Sequence, residues 1–491
     1  MKNNMEIERK YLVVPCDMVE FLERYAIEYE SVPMEQYYLK SSEEGSERYR
    51  RIGDRYIHTV KKGGGLVREE YEEDVSYEEY ISQMRYSRGG ILKKTRYLFR
   101  MDGYLFELDS FAGELDGLNM LEVEFDSIED AENFSPPPLL KRIILSDVTG
   151  EGRFTNGAIS KTMKLPVTVP DRDILSLETH HGRGTSCSVD IDPFTPISYA
   201  LAISISSLLD SMQSDLSSIL DAESGYDPEN LHRFRVASRK IKTLTKRFGE
   251  NLDKRWRKWC YENLSTIFSL TGEVRDLDVA ISKIERYIGK GDGKRRSIER
   301  FIDILEDISA LRRREMIENL EKISMGEELR EMRKTLLKTV SDSSEDGSPP
   351  FMVSLAGSIN ESFSKVVKRC SALERKGDDR GYHRLRIEIK KLRYSIEFGR
   401  YLLNPDSYEE VSDLLRSLQN ALGEYHDLQV HTGLFRSSLA DPRMDTKVRK
   451  EVERLVKRMK SMQKRDRDSF ESLFEKLYGY EDSFRILICR A

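Results

Sequence analysis

Between residues 6 and 124, charged side chains repeatedly occupy every second position, and this pattern constrains the fold of the first third of the chain more than any other feature. In a β-strand, side chains two residues apart point to the same face. One such strand is typical of the solvated face of an antiparallel sheet. Near residue 122, however, the alternate positions are Leu121, Val123 and Phe125, which need burial. Many such strands in succession predict a closed sheet with a charged interior. The alternating charged or polar runs are Glu6/Glu8/Lys10, Arg48/Arg50, Thr59/Lys61, Arg68/Glu70/Glu72, Lys94/Arg96, Glu107/Asp109 and Glu122/Glu124.

A charged interior restricts what can occupy it. Clustered carboxylates repel one another unless a divalent cation neutralises them, and hard oxygen ligands suit Mg²⁺ or Mn²⁺. Clustered lysines and arginines need an anion, and phosphate oxygens match the fork of a guanidinium. A metal ion bound to a triphosphate satisfies both sets, so we expect a metal-triphosphate inside this sheet.

Residues from about 5 to 163 are predicted to be rich in strands. Period-two alternation marks several runs, and turn signals such as Gly53-Asp54 and Asp102-Gly103 separate many of them. Two segments, 17–29 and 77–88, are predicted to be short helices. The succession of short strands indicates a closed or nearly closed barrel. The predicted strands, besides the opening one, are 46–52, 56–62, 67–75, 91–100, 104–111 and 120–125.

The remainder of the chain is predicted to be helical after a linker. Prolines and glycines punctuate residues 165–196 without periodicity, which indicates a linker between a domain at 1–164 and one at 197–491. Long charged amphipathic segments follow. His232 and His383 begin similar blocks with an offset of 383 − 232 = 151, and the same offset relates Gly272 to Gly423. The helical region is therefore predicted to be a tandem duplication, with repeats at about 197–340 and 351–485.

Each repeat carries a basic stripe at helical spacing. The usual explanation of such a stripe is a solvated helix face with carboxylate partners four residues away, but these partners are missing from the first stripe. Two copies suggest a composite anion site at their junction. The first stripe is His232, Arg235, Arg239, Lys242 and Lys246, and the second is His383, Arg386, Lys390 and Arg393.

Composition agrees with an intracellular protein. The net charge is −6, and a near-balanced total excludes no anionic partner. The 5 cysteines are scattered without metal-binding or paired spacing, which favours a reducing compartment. The beginning of the sequence has no apolar signal segment, and no run is long enough to span a bilayer. We therefore expect a cytoplasmic location and no membrane partner.

The ordered set of charged strands resembles the CYTH domain of the triphosphate tunnel metalloenzymes. Glu6-Ile7-Glu8-Arg9-Lys10 is similar to the ExExK signature of that family, and Arg48/Arg50, Thr59-Val60-Lys61, Arg68-Glu69-Glu70-Tyr71-Glu72, Lys94-Thr95-Arg96 and Leu121-Glu122-Val123-Glu124 follow in family order. The resemblance covers about residues 5–163. It implies an antiparallel eight-stranded β-tunnel that hydrolyses or cyclises triphosphates with Mg²⁺ or Mn²⁺.

The resemblance also implies residue roles. Glu6, Glu8 and Lys10 would belong to the catalytic set. A lysine near the end of this barrel is often functional, and Lys161 lies near that place. The implied metal ligands are Glu6, Glu8, Asp109, Glu122 and Glu124. The implied triphosphate contacts are Lys10, Arg48, Arg50, Lys61, Arg68, Lys94 and Arg96.

The duplicated region resembles the CHAD domain, which often follows CYTH. Both H-x-x-R-x-x-x-[RK]-[RK] blocks and both G-x-x-[RH]-D blocks are present between about 197 and 485. This implies an all-α domain of two pseudo-symmetric helical bundles that binds inorganic polyphosphate and can associate with polyphosphate granules. The implied polyphosphate contacts are His232, Arg235, Arg239, Lys242, His383, Arg386, Lys390 and Arg393. The fold class expected for the whole chain is thus α+β, with several domains.

Other functions stay open at this stage. If the barrel is catalytically weak, the protein binds polyphosphate or acts as a scaffold. Retention of both acidic pairs favours an enzyme, because binding alone would not require metal ligands. Adenylate cyclase, or a nucleoside or thiamine triphosphatase, would use the same barrel but needs a feature that recognises a base or ribose. Nucleic acid is a less favoured polyanion for the helices, because the sequence has no known readout motif.

Overall fold

The computed structural model describes residues 5–15, 18–42, 45–62, 67–168, 186–221, 225–288, 295–342, 348–375, 378–468, 470–480 and 484. An antiparallel sheet occupies the N-terminal part, and long helices occupy the C-terminal part. The predicted fold class, α+β with several domains, is confirmed. The domain boundaries at 164 and 197 stay predictions.

The described sheet has nine strands rather than the expected eight, in the order β5-β4-β3-β2-β6-β7-β8-β1-β9. The additional strand is β9, which pairs with β1. β1 also pairs with β5 through Met5, Glu6 and Ile7. Because this contact is only three residue pairs long, complete closure of the barrel stays a prediction. The strands are β1 (Met5–Val13), β2 (Tyr29–Ser42), β3 (Gly45–Ile52), β4 (Arg55–Lys62), β5 (Val67–Asp74), β6 (Leu92–Met101), β7 (Tyr104–Phe111), β8 (Asn119–Phe125) and β9 (Ile144–Asp147).

The sequence analysis did not predict β2, the 14-residue strand between β3 and β6. Proline cannot donate to a strand ladder, so Pro33 argues against a central strand. The alternation is also obscured because two successive tyrosines are both buried. Tyr37 packs against Tyr49 and Tyr80 on the outer face, whereas Tyr38 lines the inner cavity. A strand buried on both faces does not show a period-two pattern.

Five short helices accompany the sheet, and some of them cover its apolar outer face. Leu121 and Val123 of β8 are fully buried. Phe134 covers this face, with its ring 5.0 Å from the ring of Phe125 and 4.9 Å from that of Tyr104. This packing directs the glutamates of β8 to the opposite, inner face. The helices are α1 (Met18–Arg24), α2 (Tyr77–Met84), α3 (Ile128–Asn133), α4 (Pro138–Lys141) and α5 (Asn156–Thr162), and the two predicted short helices are confirmed as α1 and α2.

Ten further helices form the C-terminal region of the described chain. They share one apolar cluster that continues into the sheet, and a second cluster that joins the ends of both repeats. They are α6 (Ile197–Leu220), α7 (Pro228–Phe248), α8 (Lys254–Tyr287), α9 (Arg295–Lys322), α10 (Met325–Asp342), α11 (Phe351–Arg375), α12 (Asp379–Phe398), α13 (Pro405–Ser438), α14 (Thr446–Asp468) and α15 (Phe470–Gly479).

The helix bounds reproduce the duplication. α8 and α13 begin at 254 and 405 and end at 287 and 438, so both bounds differ by 405 − 254 = 438 − 287 = 151. The caps follow the same offset, since Asp253 accepts from Trp256 N and Asn404 accepts from Ser407 N. A side chain that accepts from the first turn satisfies one of the free amides there. The two repeats are therefore built from the same local signals.

The end of the predicted linker packs against the helices. Residues 169–185 of the linker lie outside the described residues. Beyond them, Cys187 and Val189 are buried, and the carbonyl of Cys187 accepts from Ser204 Oγ at 2.8 Å. Among the described residues, no helix is long and apolar enough to cross a membrane.

Candidate active site and basic cluster

A cavity of about 720 Å³ lies on the inner face of the sheet. Strand alternation places the charged side chains there, because the other face of each strand is occupied by the apolar core. Nine of the residues predicted as catalytic, metal-binding or triphosphate-binding line this cavity: Glu8, Lys10, Arg48, Arg50, Lys61, Lys94, Arg96, Glu122 and Glu124. The side chains of Glu6 and Arg68 lie outside the described residues, although their backbones pair with each other between β1 and β5.

One wall of the cavity is formed by arginines and lysines that are held by the carboxylates of β5. Glu70 Oε1 lies 3.4 Å from Arg48 Nη2 and 3.3 Å from Lys61 Nζ. Arg50 pairs with Glu72. Burial and the neighbouring Arg48 lower the pKa of Arg50, and its buried Nε has no hydrogen-bond partner among the described residues. This wall presents a group of neighbouring cations to the cavity.

A second ion-pair network forms another part of the cavity lining, and Asp109 supports it from behind. Arg96 donates to Asp109 through Nε and Nη2, both at 2.7 Å, and it pairs with Glu107. Lys94 also pairs with Asp109. Burial lowers the pKa of Lys94 to about 8, although Asp109 opposes this shift. Asp109 is 0% exposed and does not line the cavity, so it contacts the cations from behind.

The third group contains the carboxylates of β1 and β8. Glu8 stands directly opposite Glu124, and Lys10 directly opposite Glu122. Lys10 Nζ is 2.8 Å from Glu122 Oε1 and 3.6 Å from Glu8 Oε1. Burial alone would raise the pKa of Glu122, but Lys10, Arg96 and Lys94 hold it well below its usual value. Glu122 is therefore ionised at neutral pH.

The opposed pair Glu8/Glu124 fits a divalent cation. Like charges directly opposite each other on an antiparallel pair destabilise a sheet unless a cation offsets them. No group of three or more His, Cys, Asp or Glu side chains ready to hold a metal occurs in the described part of the chain. Mg²⁺ is commonly held by one or two carboxylates together with substrate phosphates. Two opposed carboxylates beside a basic wall therefore match that mode of binding.

Several cavity residues were not predicted as site residues. Glu70, Glu72 and Glu107 belong to the alternating runs, so the same signal could have included them. Gln36, Tyr38 and Ser41 lie on β2, and recognition of that strand was needed to find them. Asn156 and Lys161 come from α5, a helix that the alternation does not reveal, although the family resemblance had already suggested Lys161 without assigning its role. All of these side chains line the cavity.

α5 borders the cavity and contacts the end of β2. Lys161 Nζ donates to the carbonyl oxygen of Ser41 at 2.6 Å. A Cβ at Gly157 would lie 2.1 Å from Ser41 Oγ, so only glycine allows this close approach. The family lysine suggested by Lys161 is thus placed in the cavity lining, and its role stays a prediction.

A second candidate site lies in the helices, where the eight predicted polyphosphate residues line α7 and α12. We call these residues the basic cluster: His232, Arg235, Arg239, Lys242, His383, Arg386, Lys390 and Arg393. In the first repeat the cations lie over Phe268 of α8, with Arg235 Cζ 5.2 Å and Lys242 Nζ 5.7 Å from the ring centre. Arg235 Nη1 also donates to Thr271 Oγ1 at 2.5 Å. The aromatic ring and the hydroxyl orient this stripe without neutralising it.

The two stripes meet at the junction of the repeats. Burial lowers the pKa of Lys390 to about 6, and the next causes are Arg239 of the first repeat and Arg386 of the second. The glycines of the two G-x-x-[RH]-D blocks, Gly272 and Gly423, occupy equivalent places. A Cβ at Gly272 would be 4.0 Å from Arg235, and one at Gly423 would be 4.0 Å from Arg386. Cations crowded in this way favour an anion between them.

Comparison with known proteins identifies both regions. Residues 205–436 match the family described as the CHAD domain. The inorganic triphosphatase of Nitrosomonas europaea is 38% identical over 157 residues, which cover 32% of this chain and 96% of that protein.

Solved structures are similar to the same two regions. The crystal structure of the inorganic triphosphatase NE1496 is 34% identical and covers 33% of this chain and 97% of that chain, with a TM-score of 0.25. The crystal structure of the CHAD domain from the plant Ricinus communis is 18% identical and covers 60% of this chain and 97% of that chain, with a TM-score of 0.52, so the helical fold is shared. The chain therefore belongs to the CYTH-CHAD proteins, in which a CYTH domain precedes a CHAD domain.

Proposed function

We propose that the N-terminal region hydrolyses inorganic triphosphate with a bound divalent metal ion, Mg²⁺ or Mn²⁺, and that the helical region binds inorganic polyphosphate. The observation that carries the first part is the shared lining of one cavity by opposed carboxylates and by five arginine and lysine side chains of β3, β4 and β6. The similarity to an inorganic triphosphatase over almost its whole length supports this substrate.

The basic wall would hold the phosphate chain. Arg48, Arg50 and Lys61 would contact phosphate oxygens from one side, and Lys94 and Arg96 from another. Their carboxylate partners keep the side chains extended into the cavity. Hydrolysis then depends mainly on positioning and on stabilisation of the charge that develops on the phosphate oxygens.

The carboxylates of β1 and β8 would hold the metal. Glu8 and Glu124 would supply the opposed oxygens. Glu122, which pairs with Lys10, and Glu6, whose side chain lies outside the described residues, are the further ligands that the family resemblance implies. A bound divalent metal neutralises phosphate charge and lowers the pKa of a coordinated water. Lys10, between Glu8 and Glu122, would orient both carboxylates and contact phosphate.

Asp109 would position cations rather than bind metal. It is fully buried and contacts Lys94 and Arg96 from behind the cavity surface. With both oxygens engaged by Arg96, it fixes the plane of the guanidinium. We therefore propose that Asp109 sets the geometry of phosphate binding.

The experiment is phosphate release by the full chain from tripolyphosphate, ATP, thiamine triphosphate and long-chain polyphosphate, with Mg²⁺ or Mn²⁺. We expect fastest release from tripolyphosphate, with loss of hydrolysis in Glu8→Ala and no loss in Glu69→Ala, a variant at an exposed position of β5. Faster phosphate release from ATP or thiamine triphosphate would show that inorganic triphosphate is not the preferred substrate. If no phosphate is released from any of the four substrates, the proposed hydrolysis is wrong and only the proposed polyphosphate binding remains.

Polyphosphate binding is tested separately by titration calorimetry. Arg235→Ala should weaken binding and leave tripolyphosphate hydrolysis unchanged. Lys334→Ala removes an exposed lysine of α10, far from the basic cluster in sequence, and should change neither. Equal affinity in wild type and in Arg235→Ala would contradict the assignment of the basic cluster.

A further inference from the structure

The two repeats differ in the kind of charge at equivalent positions: at two of them the group that can lose its proton lies in the second repeat, and at a third, Lys242 and Arg393, it lies in the first. Arg239 and Arg275 of the first repeat correspond to Lys390 and His426 of the second, since 390 − 239 = 426 − 275 = 151. A guanidinium remains charged in proteins, whereas an amine or an imidazole releases its proton when it is buried among cations. At positions 239/390 and 275/426, the first repeat thus carries a permanent charge and the second repeat a group that can titrate.

His426 lies beside a second histidine, His383. The rings of His383 on α12 and His426 on α13 are 4.9 Å apart. The buried Nδ1 of His426 has no hydrogen-bond partner among the described residues. An open cavity of about 460 Å³ lies beside the pair, so an external group can reach it. The cavity is lined by Asp379, Arg380, His383, Arg384, His426 and Gln429.

Cations predominate around both titratable side chains. Burial lowers the pKa of His426 to about 4, followed by the effects of Arg386 and His383. Asp427 opposes the shift in both groups, but Lys283 of α8 binds that carboxylate at 2.7 Å. The charges that face these groups are Arg239 of α7, Asp276 and Lys283 of α8, Asp379, Arg380, Arg384, Arg386 and Arg393 of α12 and Asp427 of α13. On neighbouring helices, Arg369 of α11 lies near Glu388, and Arg467 of α14 lies over the ring of Tyr382.

We propose that His426 and His383, with Lys390 two helical turns beyond His383 on the same face of α12, form a proton-coupled phosphate subsite in the second repeat. This inference rests on the proposed binding of polyphosphate by the helical region. With the subsite empty, the surrounding cations favour the neutral amine and imidazole. A phosphate chain brings negative charge that offsets this repulsion, so each nitrogen lone pair takes up a proton from solvent. No bond of the phosphate chain is formed or broken.

The sign of the pH dependence follows from this coupling. Binding raises the pKa of both groups, so affinity increases as pH falls through their bound-state pKa values. The increase levels off below about 6 for Lys390 and below about 4 for His426, where the empty protein is already charged. Each proton taken up changes the affinity by up to about tenfold per pH unit. Polyphosphate would therefore bind more tightly in acidified conditions.

The test is titration calorimetry of the full chain with long-chain polyphosphate at pH 7 in two buffers of different ionisation enthalpy. Long chains are used because their titratable end groups are few. We expect net proton uptake by the wild type. The double variant Lys390→Arg/His426→Arg, which copies the first repeat, should bind with markedly smaller uptake and a flatter pH profile. The reverse exchange, Arg239→Lys/Arg275→His, should increase the uptake.

The outcomes separate this proposal from the one on which it rests. Binding without proton uptake in the wild type, or with equal uptake in the double variant, overturns the proton-coupled subsite and leaves polyphosphate binding intact. Absence of binding by the wild type overturns both. If the double variant does not fold, the proton uptake of the single variant His426→Gln is measured instead and should be smaller than that of the wild type. In the wild type, the NMR resonances of the imidazole should show that bound polyphosphate raises the pKa of His426.

Discussion

Asp109 accepts two hydrogen bonds from the guanidinium of Arg96, both at 2.7 Å, from a position with no solvent exposure. A bidentate pair of this kind fixes the plane of the guanidinium. The same carboxylate also binds Lys94, so one buried acid controls two of the cations that face the cavity. The alternation of residues 107 and 109 indicated an acidic pair, but only the packing shows that the two carboxylates differ in depth.

The first prediction concerns Asp109→Asn. We expect a fall in kcat/KM for tripolyphosphate of about 100-fold, because loss of the carboxylate that orients Arg96 and Lys94 misplaces the groups that would hold phosphate. Breaking a buried charge pair also typically costs about 3–5 kcal/mol of folding stability, so the variant is assayed below its melting temperature. A positioning role predicts that the concentration of Mn²⁺ giving half-maximal activity stays unchanged. A metal ligand would shift that concentration strongly. Steady-state kinetics over a metal titration distinguishes the two roles.

The second prediction concerns Lys94 and pH. Its pKa in the empty cavity is lowered to about 8, chiefly by burial. Only the ammonium form attracts phosphate, so kcat/KM should fall as pH rises through about 8, since this parameter reports ionisations of the free enzyme. Lys94→Arg keeps its charge and should lose this fall, even if its activity is lower. An unchanged inflection in the variant would assign the ionisation to another group or to the substrate.

The fold was predictable wherever one face of an element is apolar and the other charged. β7 and β8 follow this pattern, and the helices of the duplication follow the offset of 151. β2 was missed because Tyr37 and Tyr38 are buried on opposite faces and because Pro33 interrupts the donor pattern. β9 was missed because four residues are too few to show a period.

The sequence predicted which strand faces form the site, but it did not predict which side chains contact one another there. Alternation identifies which side chains point inward, so Arg48 and Glu122 were found. It does not reveal depth, and therefore did not separate Asp109 from the cavity surface. It also gives no information on α5, whose Lys161 approaches the cavity through the tertiary fold. In the helices, the difference between Lys390 and its counterpart Arg239 was visible, but its consequence depends on burial.

The third prediction concerns the opposed carboxylates of β1 and β8. Glu124→Gln should abolish most tripolyphosphate hydrolysis and should weaken metal binding. A metal at one hundred times its dissociation constant stabilises a protein by about 2.7 kcal/mol, so Mn²⁺ should raise the melting temperature of the wild type and raise that of the variant much less. Glu69→Gln, at the exposed position on β5, is the control. A full thermal response in Glu124→Gln would exclude Glu124 as a metal ligand.

The fourth prediction concerns Phe268, over which three cations of the first repeat lie. Its ring is within 6 Å of Arg235, Arg239 and Lys242, and each such contact contributes about 0.5–1 kcal/mol at exposed sites. Phe268→Leu should leave the stripe less ordered and weaken polyphosphate binding roughly three- to tenfold. Tyr261→Leu, which removes a ring near Lys242 alone, should have a smaller effect. Calorimetry of both variants would refute the prediction if their losses were equal.

The fifth prediction concerns the contact between the sheet and the second helical repeat. Gly117, between β7 and β8, has φ of +89°, and a Cβ there would lie 3.1 Å from Val353 Cγ1 on α11. Gly117→Ala should therefore destabilise the protein twice, through the left-handed backbone, which costs about 1–2 kcal/mol for other residues, and through the tight contact with the Val353 methyl group, which must move by a few tenths of an ångström. We expect a lower melting temperature and unchanged metal dependence of hydrolysis.

Gly103→Ala separates these two effects. Gly103, in the turn between β6 and β7, has a similar φ of +87° but no atom within 4 Å of an added Cβ. It should show the backbone cost alone. Only the Cβ added in Gly117→Ala approaches Val353. Truncation by Val353→Ala should therefore restore part of the stability lost in Gly117→Ala and none of that lost in Gly103→Ala. Equal losses in the two glycine variants would mean that the sheet and α11 do not pack through this contact in solution.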